Sequence, residues 1–189
     1  MTEVRLATVD EVPALAALLA AAFVDDEIMV WTTPGDARHE RVRAFFEEFD
    51  TLTAASGWLW TVDGGAGVAL WVPPGTGDAF DELTFSIDDA SAEYDSFWAW
   101  AEGRRPAEPH WYLDHIAVEP RSRGSGVGVA LVEHGLGLAR ADGVPAFLCT
   151  SRSDNVGFYE RRGFALEHQG DAPDGGPTIW FMRADPSTR

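Results

Sequence analysis

A glycine-rich stretch, Arg123-Gly124-Ser125-Gly126-Val127-Gly128, follows an apolar segment and opens a stretch with helical spacing. Glycines let the backbone approach a ligand closely, and free N–H groups at the start of a helix attract phosphate oxygens. The pattern predicts a phosphate-binding turn, or a tight turn whose glycines serve packing alone. It does not fit a dinucleotide-binding turn, because the third glycine of G-x-G-x-x-G would fall on Val129.

A tyrosine about 30 residues downstream is the second candidate. Tyr159 lies in the run Asn155-Val156-Gly157-Phe158-Tyr159, just after the next apolar segment. If the two apolar segments pair as parallel strands with a crossover helix, Tyr159 comes close to the glycine turn. Taken alone, a pair such as Phe158-Tyr159 more often serves packing in the core than catalysis.

The elements that must position these residues alternate along the chain. Thr8 and Glu11 have capping-box spacing and open an apolar stretch that ends at Phe23. Apolar runs bounded by Gly, Pro and Asp predict strands over 4–7, 58–62, 68–72, 111–118, 146–150, 164–169 and 178–183. Helical spacing predicts helices over 37–52, 126–141 and 155–162 and near 97–100. We therefore predict one α/β domain over 4–184, with a short C-terminal tail over 185–189.

Composition excludes several classes of function. The 14 basic residues are all arginine, so the lysines of P-loop proteins, kinases and Schiff-base enzymes are absent. The net charge of −17 argues against nucleic acid as a partner. No apolar run is long enough for a membrane span, and no secretory signal begins the chain. The single cysteine, Cys149, makes no internal disulfide or structural zinc site, so we expect a cytoplasmic protein without a metal.

Charge is divided unevenly between the two parts of the chain. Residues 1–103 hold 20 acidic residues and four arginines, whereas residues 104–189 hold 11 acidic residues and ten arginines. A protein that binds an anion with its second part and a cation with its first would have this distribution. A solvated acidic surface that aids solubility explains it equally well.

Three segments together resemble the GNAT superfamily of acetyl-CoA-dependent N-acetyltransferases. They are the strand Leu113-Asp114-His115-Ile116-Ala117-Val118, the turn Arg123 to Gly128, and Asn155 with Phe158-Tyr159 and Gly163-Phe164. Arg123, Gly126 and Gly128 occupy the fixed positions of the family's phosphate motif, Q/R-x-x-G-x-G/A. Within the superfamily the chain is most similar to the puromycin N-acetyltransferase type, although Cys149 stands where that type tends to carry an acid.

The resemblance implies a mixed sheet of about seven strands, with helices on both faces and strands four and five splayed apart. It implies that acetyl-CoA is the co-substrate and that its pantetheine arm lies between those strands. The resemblance further assigns cofactor contacts to the backbone of Ile116, Ala117 and Val118, to the amides of Arg123, Gly124, Ser125, Gly126, Val127 and Gly128, and to Asn155. Tyr159 would protonate the departing thiolate, as its phenol suits.

The general base and the acceptor site are the least defined parts. Strand alternation places Tyr112 and Asp114 on one face and His115 on the other. Asp114 is our candidate for the base or for a group that orients a water, with an ion pair as the alternative. Cys149 is expected to be a small buried apolar side chain. For the acceptor site the resemblance points to the segment after the first helix, where carboxylates beside an aromatic ring suit a cationic amine. The expected acceptor-binding residues are Asp25, Asp26, Trp31 and Tyr112.

The expected activity is transfer of an acetyl group to a small cationic amine, such as an antibiotic or a polyamine-like compound. A non-catalytic acyl-CoA-binding sensor or sequestering module is the alternative, as is an enzyme that uses another acyl group or a protein N-terminus. No nucleic acid or membrane is expected as a partner. The eight tryptophans leave room for an apolar interface between two copies, so a homodimer stays open.

Overall fold

Seven strands form one sheet in the order β1-β2-β3-β4-β5-β7-β6. The computed structural model describes residues 2–76 and 92–187. Residues 78–91, an acidic stretch in which the sequence predicts no element before the helix near 97–100, lie outside the described residues. The strands are β1 (Val4–Leu6), β2 (Leu59–Val62), β3 (Gly67–Val72), β4 (Trp111–Val118), β5 (Ala146–Thr150), β6 (Ala165–Asp171) and β7 (Thr178–Ala184). β4 and β5 pair in parallel and the other neighbouring strands are antiparallel. The predicted mixed sheet is confirmed.

Helices cover both faces of this sheet. They are α1 (Val12–Phe23), α2 (Glu27–Thr32), α3 (Arg38–Ala55), α4 (Ala92–Glu102), α5 (Val127–Asp142) and α6 (Ser153–Glu160). α1 and α3 bury their apolar sides against one face, in a core that includes Leu19, Phe46 and Leu70. α5 packs on the other face, around Leu131 and Trp71. None of the described helices is both long and apolar enough to cross a bilayer.

Local sequence explains where several elements begin and end. The backbone N–H of Thr8 donates to the Glu11 carboxylate at 2.9 Å, which completes the predicted capping interaction before α1. Pro13 stands in the first turn of α1, where its missing N–H has no consequence. Gly143 ends α5 with a φ of 70°, a left-handed conformation that glycine adopts freely.

One helix was not predicted. α2 spans only six residues, Glu27–Thr32, too few to show a helical period. The carboxylate of Asp26 caps it by accepting a hydrogen bond from the Ile28 N–H at 3.0 Å. The segment after the first helix, to which the resemblance assigns the acceptor site, is therefore a capped turn of helix. It carries Ile28 and Met29 to the functional site.

Candidate active site

The parallel strands β4 and β5 diverge in the middle of the sheet. They pair over three positions only, from Trp111 opposite Ala146 to Leu113 opposite Leu148. β4 continues to Val118 beside β3, and β5 continues to Thr150 beside β7. The edge of β4 beyond Leu113 therefore has no pairing with β5, and a cleft opens there. This confirms the predicted splay.

Two cavities meet at this cleft. The first, which we call the aromatic cavity, has a volume of about 470 Å³, and its rings are those of Phe23, Phe45, Phe46, Tyr94, Phe97, Trp98 and Tyr112. The second, the glycine-turn cavity, has a volume of about 520 Å³ and is lined by Gly124, Gly126 and Gly128. Five residues line both cavities, which therefore share a wall: Ile116, Val118, Arg123, Asn155 and Tyr159.

The glycine turn presents several backbone N–H groups at the start of α5. Gly124 and Gly126 have φ values of 78° and 96°, which favour glycine over any other residue. The N–H groups of Arg123 and Ser125 donate to carbonyl groups inside the turn at 3.3 Å. In the part of the chain that the structure describes, the turn's amides without a backbone acceptor are those of Gly124, Gly126, Val127 and Gly128. Such a set can hold the oxygens of a phosphate.

Tyr159 is fixed in the wall that the two cavities share. Its ring packs against those of Phe158 and Phe164, with centroids 5.2 and 5.7 Å away, and only 6% of the residue is exposed. Burial raises the pKa of its hydroxyl well above the usual value of 10. At neutral pH the phenol is therefore protonated and able to donate. The neighbouring Asn155 donates to the Thr150 hydroxyl at 3.2 Å, which orients its amide at the same wall.

A β-bulge in β4 changes the face on which its polar residues lie. Leu70 of β3 pairs with His115 and Trp71 pairs with Leu113, so Asp114 is the extra residue of β4. The prediction that His115 lies opposite Tyr112 is wrong, because the bulge interrupts the alternation. His115 faces α3, where its ring lies 5.2 Å from that of Phe46. The Asp114 carboxylate lines the aromatic cavity.

The thiol of Cys149 is inert in this setting. Its sulfur lies 3.6 Å from the Tyr112 hydroxyl, in the wall of the aromatic cavity. Burial raises the pKa of the thiol to about 11, so it is protonated at neutral pH. This agrees with the expectation that Cys149 serves as a small apolar residue.

The residues expected to bind the acceptor lie in different environments. Tyr112 and Asp26 line the aromatic cavity. The Asp26 carboxylate caps α2 and accepts a hydrogen bond from the Ser151 hydroxyl at 2.6 Å, so both of its oxygens have partners. Asp25 is exposed and Trp31 packs edge-on against Phe97, with centroids 6.4 Å apart. Neither of these two is part of the cavity wall.

Sequence reasoning missed four contributors to the site. Phe45 has the helical spacing of a core residue, yet its ring lines the aromatic cavity, as do those of Tyr94 and Trp98. Arg162 lines the glycine-turn cavity, with its guanidinium 3.6 Å above the Phe158 ring and a hydrogen bond to the Phe158 carbonyl. Arg162 follows Tyr159 by three residues, and this spacing could have indicated that its side chain lies near the glycine turn.

Comparison with known proteins agrees with this geometry. The model of the "Acetyltransferase (GNAT) family" matches residues 26–164, which include both cavities' shared wall. The chain belongs to the GNAT acetyltransferase family. It is an acetyltransferase, and the family's co-substrate is acetyl-CoA. The similarity to the puromycin N-acetyltransferase type is a finer assignment that this match does not reach.

Individual relatives of this GNAT enzyme extend the match over most of its length. An uncharacterized N-acetyltransferase, C550.08, of Schizosaccharomyces pombe is 24% identical over 172 residues, which cover 80% of this chain and 70% of that protein. A solved structure of histone acetyltransferase HPA2 and related acetyltransferase from Corynebacterium glutamicum is 26% identical, with a TM-score of 0.72 over 100% of this chain and 98% of that one. Agmatine N-acetyltransferase has a TM-score of 0.73 over 97% and 99% of the two chains, and at 14% identity it shares the fold.

Proposed function

We propose that this GNAT enzyme transfers the acetyl group of acetyl-CoA to the amine of a small cationic molecule by direct attack on the thioester. The observation that carries the proposal is the shared wall of the two cavities. It places a buried phenol, Tyr159, between a cradle of backbone donors and a cavity that contains a carboxylate, Asp114. A cofactor and an acceptor that enter from opposite sides would meet at that wall.

The residues around the glycine turn fit the phosphates of coenzyme A. The free amides of Gly124, Gly126, Val127 and Gly128 would hold the pyrophosphate, with the Arg123 side chain beside them. A Cβ on Gly128 would lie 3.3 Å from Val118, so a larger residue there would crowd the turn. Acetyl-CoA would supply an acetyl group activated as a thioester. The unpaired edge of β4 at Ile116, Ala117 and Val118 would bind its pantetheine arm, together with Asn155.

Asp114 and Tyr159 divide the proton transfers between them. An alkyl amine with a pKa near 10.4 is neutral in only about one molecule in a thousand at pH 7, so it needs a base or a water relay. Asp114 would accept the amine proton, directly or through a water. The Tyr159 phenol, held protonated by burial, would donate to the departing sulfur. The N–H of Ile116 would stabilise the charge that develops on the thioester oxygen.

The aromatic cavity suits the non-reacting part of such an amine. Rings attract a cation that lies over their faces, and they also pack against apolar groups. Tyr112 and the Asp26 carboxylate stand in the same wall, and they would contact the acceptor there. Agmatine N-acetyltransferase shares the fold, which supports a small amine acceptor. An enzyme of the puromycin N-acetyltransferase type would be one specific case of this proposal.

An acetyl-transfer assay tests this proposal. Purified protein is mixed with acetyl-CoA and, separately, with agmatine, spermidine, tryptamine, puromycin and a short peptide with a free N-terminus. Mass spectrometry then follows free coenzyme A and the acetylated product. Turnover with at least one small amine is expected. Tight binding of acetyl-CoA without turnover across the panel would instead identify an acyl-CoA-binding module, and turnover with the peptide alone would move the acceptor to a protein N-terminus.

A further inference from the structure

The bulge at Asp114 also sets the position of His115, which lines the aromatic cavity together with Tyr112 and Asp114. It turns the His115 side chain into the space between the sheet and α3, where the rings of Phe46 and Phe49 surround it at 5.2 and 6.2 Å. Only 3% of the His115 side chain is exposed. A polar ring in such an apolar setting costs free energy unless its nitrogens have partners.

Both ring nitrogens of His115 face carboxylates. Nδ1 makes a hydrogen bond of 2.9 Å with Oδ1 of Asp114, the residue that lines the aromatic cavity. Nε2 lies 3.2 Å from Oδ1 of Asp50, at ion-pair distance, and the Asp50 side chain is 0% exposed. Among the described residues, the other Asp50 oxygen has no hydrogen-bond partner, and the contact between His115 Nε2 and Asp50 is an ion pair without hydrogen-bond geometry. A fully buried carboxylate of this kind would be strongly destabilising without the imidazole beside it.

We propose that His115 is a positioning residue which ties Asp114 to Asp50, so that Asp50, His115 and Asp114 act as one buried unit that holds the Asp114 carboxylate oriented toward the acceptor amine. This proposal rests on the proposed function, in which Asp114 acts on that amine. The N–H bond of the amine breaks, and the proton forms an O–H bond with the Asp114 carboxylate. The imidazolium and Asp50 keep their charges throughout.

The charges around the unit agree with this assignment. Burial alone would lower the pKa of His115, but the Asp50 charge and then the hydrogen bond to Asp114 outweigh it and raise the pKa to about 10. At neutral pH the imidazole is therefore charged. The other titratable groups that face Asp114 are Tyr94 on α4, Arg105 after α4, Tyr112 on β4 and Cys149 on β5. Of these only Arg105 is charged at pH 7.

Nuclear magnetic resonance of the imidazole nitrogens tests the unit without any substrate. The His115 signals, assigned by their loss in His115→Gln, are followed from pH 5 to pH 10 in the wild-type protein and in Asp50→Asn. We expect an imidazolium up to about pH 9 in the wild type, and a midpoint lower by about two pH units or more in Asp50→Asn. Thr51→Val is the control, because it removes a half-buried hydroxyl of the same helix that donates to the Glu47 carbonyl and not to Asp50.

The pH dependence of turnover then separates a positioning role from a structural one. With an amine that the enzyme acetylates, kcat/KM in Asp50→Asn should show a new ionisation at the pH where His115 now titrates, while the KM for acetyl-CoA is unchanged. A neutral His115 in the wild type at pH 7 would overturn the proposal even if Asp50→Asn does not fold. If the His115 midpoint shifts in Asp50→Asn but the pH profile of kcat/KM does not change, the three residues form a structural ion pair and the positioning role is wrong. Failure of the proposed function, in contrast, leaves the imidazole titration as predicted.

Discussion

The indole of Trp71 occupies the space in which a side chain at Gly135 would stand. A Cβ built on Gly135 would lie 1.9 Å from one ring atom of Trp71 and within 2.4 Å of two more. The indole N–H also donates to the Leu131 carbonyl at 3.2 Å. Both contacts bring α5 close to β3, and α5 begins at the glycine turn. The position of the glycine turn therefore depends on this contact.

Replacing Gly135 should destabilise the fold. Gly135→Ala forces backbone or ring movement in a close-packed core, and we expect a loss of about 3 kcal/mol in the free energy of unfolding. Gly137→Ala is the control, because the same helix leaves open space around its Cβ. That change should instead stabilise the protein by about 0.5–1 kcal/mol. Urea unfolding measures both, and equal stabilities of the two variants would contradict the contact.

Replacing Gly126 should weaken the binding of coenzyme A. The φ of Gly126 is 96°, so Gly126→Ala is strained and the turn must move its amides to relieve the strain. We expect an increase of about tenfold or more in the Kd, measured by calorimetry. Gly57→Ala carries a similar backbone penalty at a φ of 75°, with open space around both positions. Gly57 lies outside the glycine-turn cavity, so Gly57→Ala should leave the Kd for coenzyme A unchanged. An equal increase of the Kd in both variants would instead show that each change destabilises the whole fold.

Much of this fold follows from local sequence. The bounds of β4 and β5 agree with the predicted strands because each is an apolar run between polar or helix-breaking residues. The start of α6 was predicted two residues too late, because Ser153 and Asp154 are polar residues that extend the helix beyond its apolar part. The glycine turn follows β4, and Tyr159 follows β5. Because these two strands were predicted to pair in parallel, their order along the chain was enough to predict that the turn and Tyr159 lie together.

What could not be predicted depends on contacts between distant segments. The bulge at Asp114 arises from the register with β3, and no local pattern in β4 marks it. His115 was therefore assigned to the wrong face, and its partner Asp50 looked like any polar residue of an amphipathic helix. Similarly, the hydrogen bond from Ser151 to Asp26 joins residues 125 positions apart. Charge and residue type suggested Asp26 for the acceptor site, but only packing shows that its oxygens already have partners.

Removing the Tyr159 hydroxyl should slow turnover much more than it weakens cofactor binding. In Tyr159→Phe the ring still packs against Phe158 and Phe164, and only the proton donor is lost. We expect kcat to fall by about 100-fold or more, with the Kd for coenzyme A unchanged. Tyr112→Phe removes the phenol that we propose contacts the acceptor, and it should change the KM for the amine more than it changes kcat. An unchanged kcat in Tyr159→Phe would exclude the acid role.

The stability of the N-terminal region should depend on pH through Glu11. Its carboxylate makes a hydrogen bond with Arg5, at 2.7 Å, and with the Thr8 N–H, and these lower the pKa of Glu11 from 4.5 to about 2. Because the pKa is lower in the folded state, the stabilisation is complete above about pH 4.5 and is lost as the pH falls toward 2. Glu11→Gln should therefore lower the free energy of unfolding at pH 7 by about 1 kcal/mol or less, since the pair is partly exposed to solvent.

Urea unfolding at pH 3 and pH 7 measures this effect. The difference in the free energy of unfolding between Glu11→Gln and the wild type should be smaller at pH 3. Glu3→Gln, a change of the same charge on an exposed residue nearby, should show no such narrowing. A difference that stays constant from pH 7 to pH 2 would mean that the capping geometry, and not the charge of Glu11, stabilises the start of α1.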